Sequence, residues 1–390
     1  MIFFNLTMPY ENHNIILINI DGFRKDKIDF CPSLKSIKEN SHYFSEMNTV
    51  APYTFASLHA IFSGMYPSMN GVNGYYNIFK FKKDEVTTFP ELLQNNDYYT
   101  CYDIIDDSVI PAQGFSEKNV FDEKTVDFKS RHSNLIKKLS TKKKFFLFLH
   151  YTEIHKHLVD DVIQKYKQES NDDGFFTNQS ENDERFNSYL PLCDEYIKSI
   201  VKTLKEENIY EKTILILFTD HGTSLGEKKG EKFYGVYVYD YTINVFCMIQ
   251  IPNNNNNNNN LEINNQCSTL DIFPTILDLA NISKNDINFQ GKSLLPLQEN
   301  NNESRDVFVE TGGLYGPWPS PEKHNVFCVK SNGKKLIFNE TPETWEFYDL
   351  IKDPNEQNNL YDVTLQDVKV LKKLLIKFLK NNNVDSVLIN

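Results

Sequence analysis

Three short apolar runs constrain this chain more than anything else in it: IILINI at 15–20, FFLFLH at 145–150 and TILILFT at 213–219. Each is rich in β-branched or aromatic residues, flanked by polar ones, and too short for a buried helix, which is the pattern of a buried strand. Both alternating faces are apolar, so each strand must be covered from both sides, as in a parallel sheet between two helix layers. The first run stops at Asp21-Gly22, the third at Asp220-His221-Gly222, and the second at His150, with His155 close behind. Parallel strands of one sheet bring their carboxyl ends to a common edge, where open α/β sheets hold their ligands.

The remaining pattern fits that frame. SLKSIKEN reads as a helix, HYFSEMNTV as a strand, and FPELLQNN as a helix opened by a Thr88/Glu91 capping box. Residues 98–105 and 244–251 read as strands; 131–139, 189–206 and 270–280 read as helices; 150–157 reads as a loop. After residue 300 the short runs VFVET, NVFCVK, KKLIFN and WEFYDL predict a small antiparallel sheet, closed by a helix over 365–379. The expected fold class is therefore α/β, a mostly parallel central sheet with helices on both faces, plus a small C-terminal antiparallel sheet and helix. The expected division is 1–300 for the α/β domain and 301–390 for a smaller α+β unit. The first contains a polar insertion at about 158–187 and an asparagine-run loop at 253–260. A chain of 390 residues is long enough for both.

Charge and cysteine usage exclude several classes. A formal net charge of −12 with no basic stripe argues against a nucleic-acid partner. Six scattered cysteines with no CxxC pair argue against a disulfide framework and a thiolate zinc site. No run approaches the roughly 20 apolar residues of a membrane helix. The opening MIFFNLTMPYEN lacks the cationic start of a signal peptide. These features predict a soluble, cytoplasmic protein with no membrane segment; nothing in the sequence marks its oligomeric state.

Asp21, Asp220 and His221 would converge at the sheet edge, and two carboxylates with an imidazole suit a divalent cation. Read singly, each is also an ordinary turn former. The stretch APYTFASLHAIFSGMYP at 51–67 adds a helix whose buried face is Leu58, Ile61 and Phe62, ended by Ser63-Gly64 and Pro67. Thr54 stands at its start, either as a plain cap or as a hydroxyl at an anion-binding helix end and a fourth metal ligand. His155 is placed to meet a leaving group or a nonbridging oxygen, or else lies on a surface loop; His150 reads as a core histidine. Arg24 could hold an anion or pair with Asp26. Lys228 and Lys229 face the expected pocket mouth or solvent.

Taken together, these stretches resemble the sulfatase branch of the alkaline phosphatase superfamily. The family's C-x-P-S-R-A-x-L-x-T-G-x-Y-P motif lies in register with T-F-A-S-L-H-A-I-F-S-G-M-Y-P, and Ala56, Ser57, Gly64, Tyr66 and Pro67 fit it. Further matches are Asp21-Gly22-Phe23-Arg24, Asp220-His221-Gly222, TEIH at His155, LDIFPTILDLA and FYDLIKDPNEQNNL, spread over residues 14–361. The departures are Thr54 where the family has the Cys or Ser converted to formylglycine, Leu58 at the motif arginine, and Gly22 at the second calcium-site aspartate. The remaining set, Asp21, Thr54, Asp220 and His221, is similar to the metal site of phosphoglycerol and phosphoethanolamine transferases.

That resemblance implies metal-dependent phosphoester hydrolysis or phosphotransfer (phosphatase, phosphodiesterase or transferase chemistry) through a covalent Thr54 intermediate. It gives His155 a catalytic role and Arg24, His155 and Lys229 substrate contacts. One divalent ion is implied, manganese first, with zinc or calcium as alternatives, and a small phosphorylated or sulfated substrate such as a sugar or headgroup ester. Two other readings stand beside it: a sulfatase working without formylglycine, and a non-catalytic binding protein on a decayed site.

Overall fold

The computed structural model describes residues 12–167, 174–228, 230–252, 261–296, 305–312 and 325–389. Lys229, the asparagine run 253–260 and the boundary expected near residue 300 lie outside the described residues.

The first sheet contains β1 (Asn14–Ile20), β2 (His42–Asn48), β3 (Tyr99–Ile104), β4 (Glu117–Val120), β5 (Phe145–Tyr151), β6 (Thr213–Phe218), β7 (Asn244–Gln250), β8 (Leu261–Ile263) and β9 (Cys267–Ser268). Its order is β4-β3-β5-β1-β6-β7-β2-β8, with β9 also on β2. The three apolar runs are its centre, and every residue of β1, β5 and β6 is buried. From β4 to β6 all pairings are parallel; β7 runs antiparallel to both its neighbours. A strand buried on both faces looks the same in either direction, so the reversal of β7 left no mark on its sequence.

Alternation along β1 sorts the core into two layers. Ile16, Ile18 and Ile20 pack with the helices Pro32–Lys38, Phe128–Leu139 and Gln179–Glu206. Ile15 and Leu17 pack on the other face with Thr54–Ser63, Phe89–Gln94 and Ile272–Leu279. Register then positions the strand ends: Asn19 of β1 is paired with Phe218 of β6, so Asp21 and Asp220, each two residues further on, leave the sheet side by side.

Beyond β5 the structure differs from the expected loop. A helix, Glu153–Lys167, begins two residues after Tyr151 and places His155 in its first turn. Ile154, Leu158 and Val162 recur at helical spacing and are buried, a stripe hidden by the polar residues around it. The Gln179–Glu206 helix likewise starts well before Tyr189, because Asn182, Phe186 and Leu190 already belong to its buried face.

The second sheet is antiparallel, in the order β10 (Val307–Gly312), β11 (Asn325–Ser331), β12 (Lys334–Asn339), β13 (Thr344–Asp349). The Gln366–Asn381 helix covers it, with Leu371, Leu375 and Phe378 packed in the same cluster as Phe327, Val329 and Leu336. A buried charge cluster joins this sheet to the first. Lys330 of β11 and Lys335 of β12 each reach Asp240 at 2.9 Å, and Lys335, 0% exposed, also meets Glu356 at 2.7 Å. Burial opposes the Asp240 charge, but the two ammonium groups hold its carboxyl below the usual carboxylate range. No helix among the described residues is long and apolar enough to cross a membrane.

Candidate active site

The site assembles where β1 and β6 end. Asp21, Asp220 and His221 each bring one ligand atom into a cluster spanning no more than 4.8 Å, and all three are buried. Thr54 completes it, with Oγ1 3.2 Å from His221 Nε2 and 3.4 Å from Asp21 Oδ2. The cap of the Thr54–Ser63 helix is Tyr53; Thr54 is the first helical residue and its hydroxyl makes no capping bond. At 8% exposure that hydroxyl is turned into the site.

The backbone around the cluster is tightly specified. Gly22 has φ +66°, the left-handed region, and a Cβ there would press on Thr223 Oγ1 at 3.2 Å. Any side chain at this position would be strained, which accounts physically for a glycine. At Gly222 a Cβ would fall 2.2 Å from the Tyr241 carbonyl oxygen, so that residue must stay bare for the 220–222 turn to lie against the 239–242 segment. Arg24 donates to Asp26, to Glu227 and to the Thr223 carbonyl. Its guanidinium thus ties the loop after β1 to the loop after β6, and its charge is already paired. Lys228 is engaged with the Glu356 carbonyl. Lys229, expected at the pocket mouth, lies outside the described residues.

His150 does more than fill the core: its Nε2 donates to Asp21 Oδ2 at 2.8 Å. Burial works against the Asp21 charge, yet His155, His150 and His221 together hold its carboxyl below the usual range. Asp220 goes the other way, raised by burial and by the neighbouring Asp21. His155 is 20% exposed and bonds through Nε2 to the Tyr234 hydroxyl at 2.7 Å. Its burial favours the neutral ring, but Asp21, then Glu123 and Asp220, push its pKa up to about 9. The Tyr234 ring stacks on His221 at 4.6 Å, and Tyr75 stacks on Tyr53 at 4.8 Å.

This cluster fits a divalent cation. Asp21 Oδ1 and Asp220 Oδ2 are buried oxygens without a hydrogen-bond partner, an expensive arrangement for two carboxylates unless a cation satisfies them. His221 donates Nδ1–H to the Gly222 carbonyl at 2.9 Å, so in the neutral ring that a metal would require, Nε2 is the free ligand atom beside Thr54, Asp21 and Asp220. The donor set does not single out manganese, because oxygen ligands with one imidazole serve calcium, manganese and zinc alike.

Comparison with known proteins decides the lineage. The family model described as Sulfatase matches residues 13–282, more than half of the chain and a range that includes the whole cluster. The chain belongs to the sulfatase family. A second model, N-sulphoglucosamine sulphohydrolase, C-terminal, matches residues 230–383. Human arylsulfatase K is 28% identical over 183 residues, which are 44% of this chain and 32% of that protein. The ulvan-active sulfatase of Formosa agariphila is 27% identical over 198 residues, 48% of this chain and 37% of that protein. The matched stretch thus spans about a third of the length of these curated relatives.

Two solved structures share the fold across nearly the whole chain. One, in complex with its substrate D-glucosamine-2-N,6-O-disulfate, superposes with a TM-score of 0.77 at 15% identity, covering 97% of this chain and 100% of that one. A 2-O GAG sulfatase superposes with a TM-score of 0.74 at 17% identity, covering 96% and 93%.

Sulfatase membership corrects the phosphoester reading. Placement among the threonine-nucleophile transferases, phosphoryl transfer through a Thr54 intermediate, and the phosphatase, phosphodiesterase and phosphotransferase activities rest on the departures at Thr54, Leu58 and Gly22 and on the ligand set that remains, with Thr54 the chief of them. The matches spread along residues 13–282 outweigh them. Nothing in the matches supports the preference for manganese, and the lack of a long apolar helix among the described residues does not establish the cytoplasmic location expected from the sequence. Sequence reading also misses Glu123, Tyr75 and Tyr234: they belong to no motif, and Tyr234 is one of 21 tyrosines.

Proposed function

We propose that this sulfatase-family chain hydrolyses the sulfate ester of a small sulfated substrate, a sugar sulfate above all, at a metal-dependent site made by Asp21, Thr54, Asp220 and His221. The carrying observation is the sulfatase match over residues 13–282 around a buried carboxylate pair with two unpartnered oxygens. The sugar preference is supported by relatives whose own names or substrates are sulfated carbohydrates.

A divalent cation held by these four residues would neutralise the carboxylate pair and offer positive charge to the sulfuryl oxygens. The chain's own groups supply the rest. The first N–H groups of the Thr54–Ser63 helix have no intrahelical acceptor and serve as donors to a sulfuryl oxygen. Thr54 is a secondary alcohol, whose oxidation gives a ketone rather than an aldehyde, so the formylglycine route is closed. The attack is therefore assigned to water: its oxygen bonds to sulfur as the bond from sulfur to the alcohol oxygen breaks. The departing oxygen takes a proton from the His155 side of the site, the attacking water gives one proton to solvent, and the product leaves as hydrogen sulfate. Thr54 Oγ1 acts by holding its partners in place.

The test is sulfate release from 4-nitrophenyl sulfate and from glucosamine 6-sulfate by metal-stripped protein reloaded with calcium, manganese or zinc. Release is expected with at least one ion. Thr54→Ser should keep most of the turnover, whereas Thr54→Ala should lose roughly 10²-fold through misplacement of the site. Phosphate esters cleaved while sulfate esters stay intact, or no release with any ion, would reject the proposal. Unchanged turnover by Thr54→Ala would remove Thr54 from it.

A further inference from the structure

His155 is hydrogen-bonded through one ring nitrogen and faces a carboxylate with the other. Nε2 is bonded to the Tyr234 hydroxyl at 2.7 Å, and Nδ1 faces Glu123 Oε1 at 3.9 Å, with both of those latter atoms buried. A proton leaving Nε2 of His155 therefore passes first to the Tyr234 oxygen. Tyr234 is the member of that pair whose ring touches a metal ligand. Its ring lies against His221 at 4.6 Å. Tyr234 also neighbours Tyr75, which stacks on Tyr53, the residue before Thr54. Glu123, His155 and Tyr234 thus form a carboxylate–imidazole–hydroxyl series drawn from three separate parts of the chain and ending at the metal ligands.

We propose that Tyr234, and not His155 directly, hands the proton to the departing alcohol, with His155 replenishing it and Glu123 orienting His155. This rests on the sulfate-ester reading above. As the bond from sulfur to the alcohol oxygen breaks, that oxygen takes the Tyr234 hydroxyl proton. The Nε2 proton of His155 moves to the tyrosine oxygen in the same event. Tyrosine ends neutral, imidazolium becomes imidazole, and solvent restores the proton to His155. No oxidant or further reactant enters. The hydroxyl is the group that touches substrate; His155 and Glu123 act through it.

The test compares wild type, Tyr234→Phe and His155→Gln at saturating metal on aryl sulfates graded from 4-nitrophenyl to 4-methoxyphenyl. Removing the phenolic oxygen leaves the ring against His221. A donor to the leaving group matters least where the leaving group needs no proton. Tyr234→Phe should thus lower kcat by about tenfold or less on 4-nitrophenyl sulfate and by on the order of 10²–10³ on 4-methoxyphenyl sulfate, with KM little changed. His155→Gln should show the same gradient. An equal loss across the series marks a structural role and overturns the proposal. So does a gradient in His155→Gln that Tyr234→Phe lacks, which would make His155 the direct donor. Wild-type protein releasing no sulfate from any ester overturns the sulfate-ester reading and this inference together, a result visible before any variant is made.

Discussion

Asp220→Ala protein is expected to lose its divalent ion and to fall in turnover by roughly 10³-fold, the scale of removing a principal electrostatic contact at a reacting centre. Two carboxylates, Asp21 and Asp220, share one buried site, and their unpartnered oxygens argue that a cation balances them. Elemental analysis after gel filtration reads the result directly, and undiminished metal content would reject the ligand set. Removing the same charge has an opposite effect on the metal-free fold. Burial and Asp21 both disfavour the Asp220 charge, so stripped Asp220→Asn protein should unfold at a higher temperature than stripped wild type. With metal present the order should reverse, because only the wild type gains from binding.

The second large effect concerns Asp240. Its carboxylate is the shared partner of Lys330 and Lys335, both almost wholly buried. Asp240→Ala leaves Lys335 with Glu356 and Lys330 with only the neutral Asn48 side chain, and breaking a buried pair from one side costs about 3–5 kcal/mol. Urea titration should show that loss. A volume-matched apolar replacement of Asp240 and both lysines together should recover most of it, since the desolvation of the charges disappears with them. Full stability in Asp240→Ala would mean that water reaches the cluster.

Some of this architecture is legible in the chain, and the reasons are local. IILINI, FFLFLH and TILILFT form β1, β5 and β6 because a strand buried on both faces admits only apolar residues. Their parallel pairing makes the juxtaposition of Asp21 and Asp220 foreseeable. The Thr54–Ser63 helix can be read from Leu58, Ile61 and Phe62, but the destination of the Thr54 hydroxyl cannot: a threonine at a helix start looks the same whether it caps or turns into a site. Arg24 pairs with Glu227, and His155 with Tyr234, across distances in sequence that no spacing rule covers. The reaction is misread for a related reason. Thr54 draws the eye because a hydroxyl can do chemistry, while the marks of descent lie in many residues that do none.

Asp21 and Asp220 meet only because β1 and β6 lie in register across almost 200 residues of intervening chain. Such a pairing of distant segments is slow to form, since a long loop must close before the contact yields anything. During refolding the ion-binding site therefore cannot exist until the middle of the sheet does. A fluorescent lanthanide added to refolding protein should report late, after the bulk of the far-ultraviolet signal has returned, and its arrival would time the docking of β6 onto β1. In a cell, an ion that binds last selects molecules that have already folded correctly, so metal occupancy would measure the quality of folding as well as readiness for catalysis.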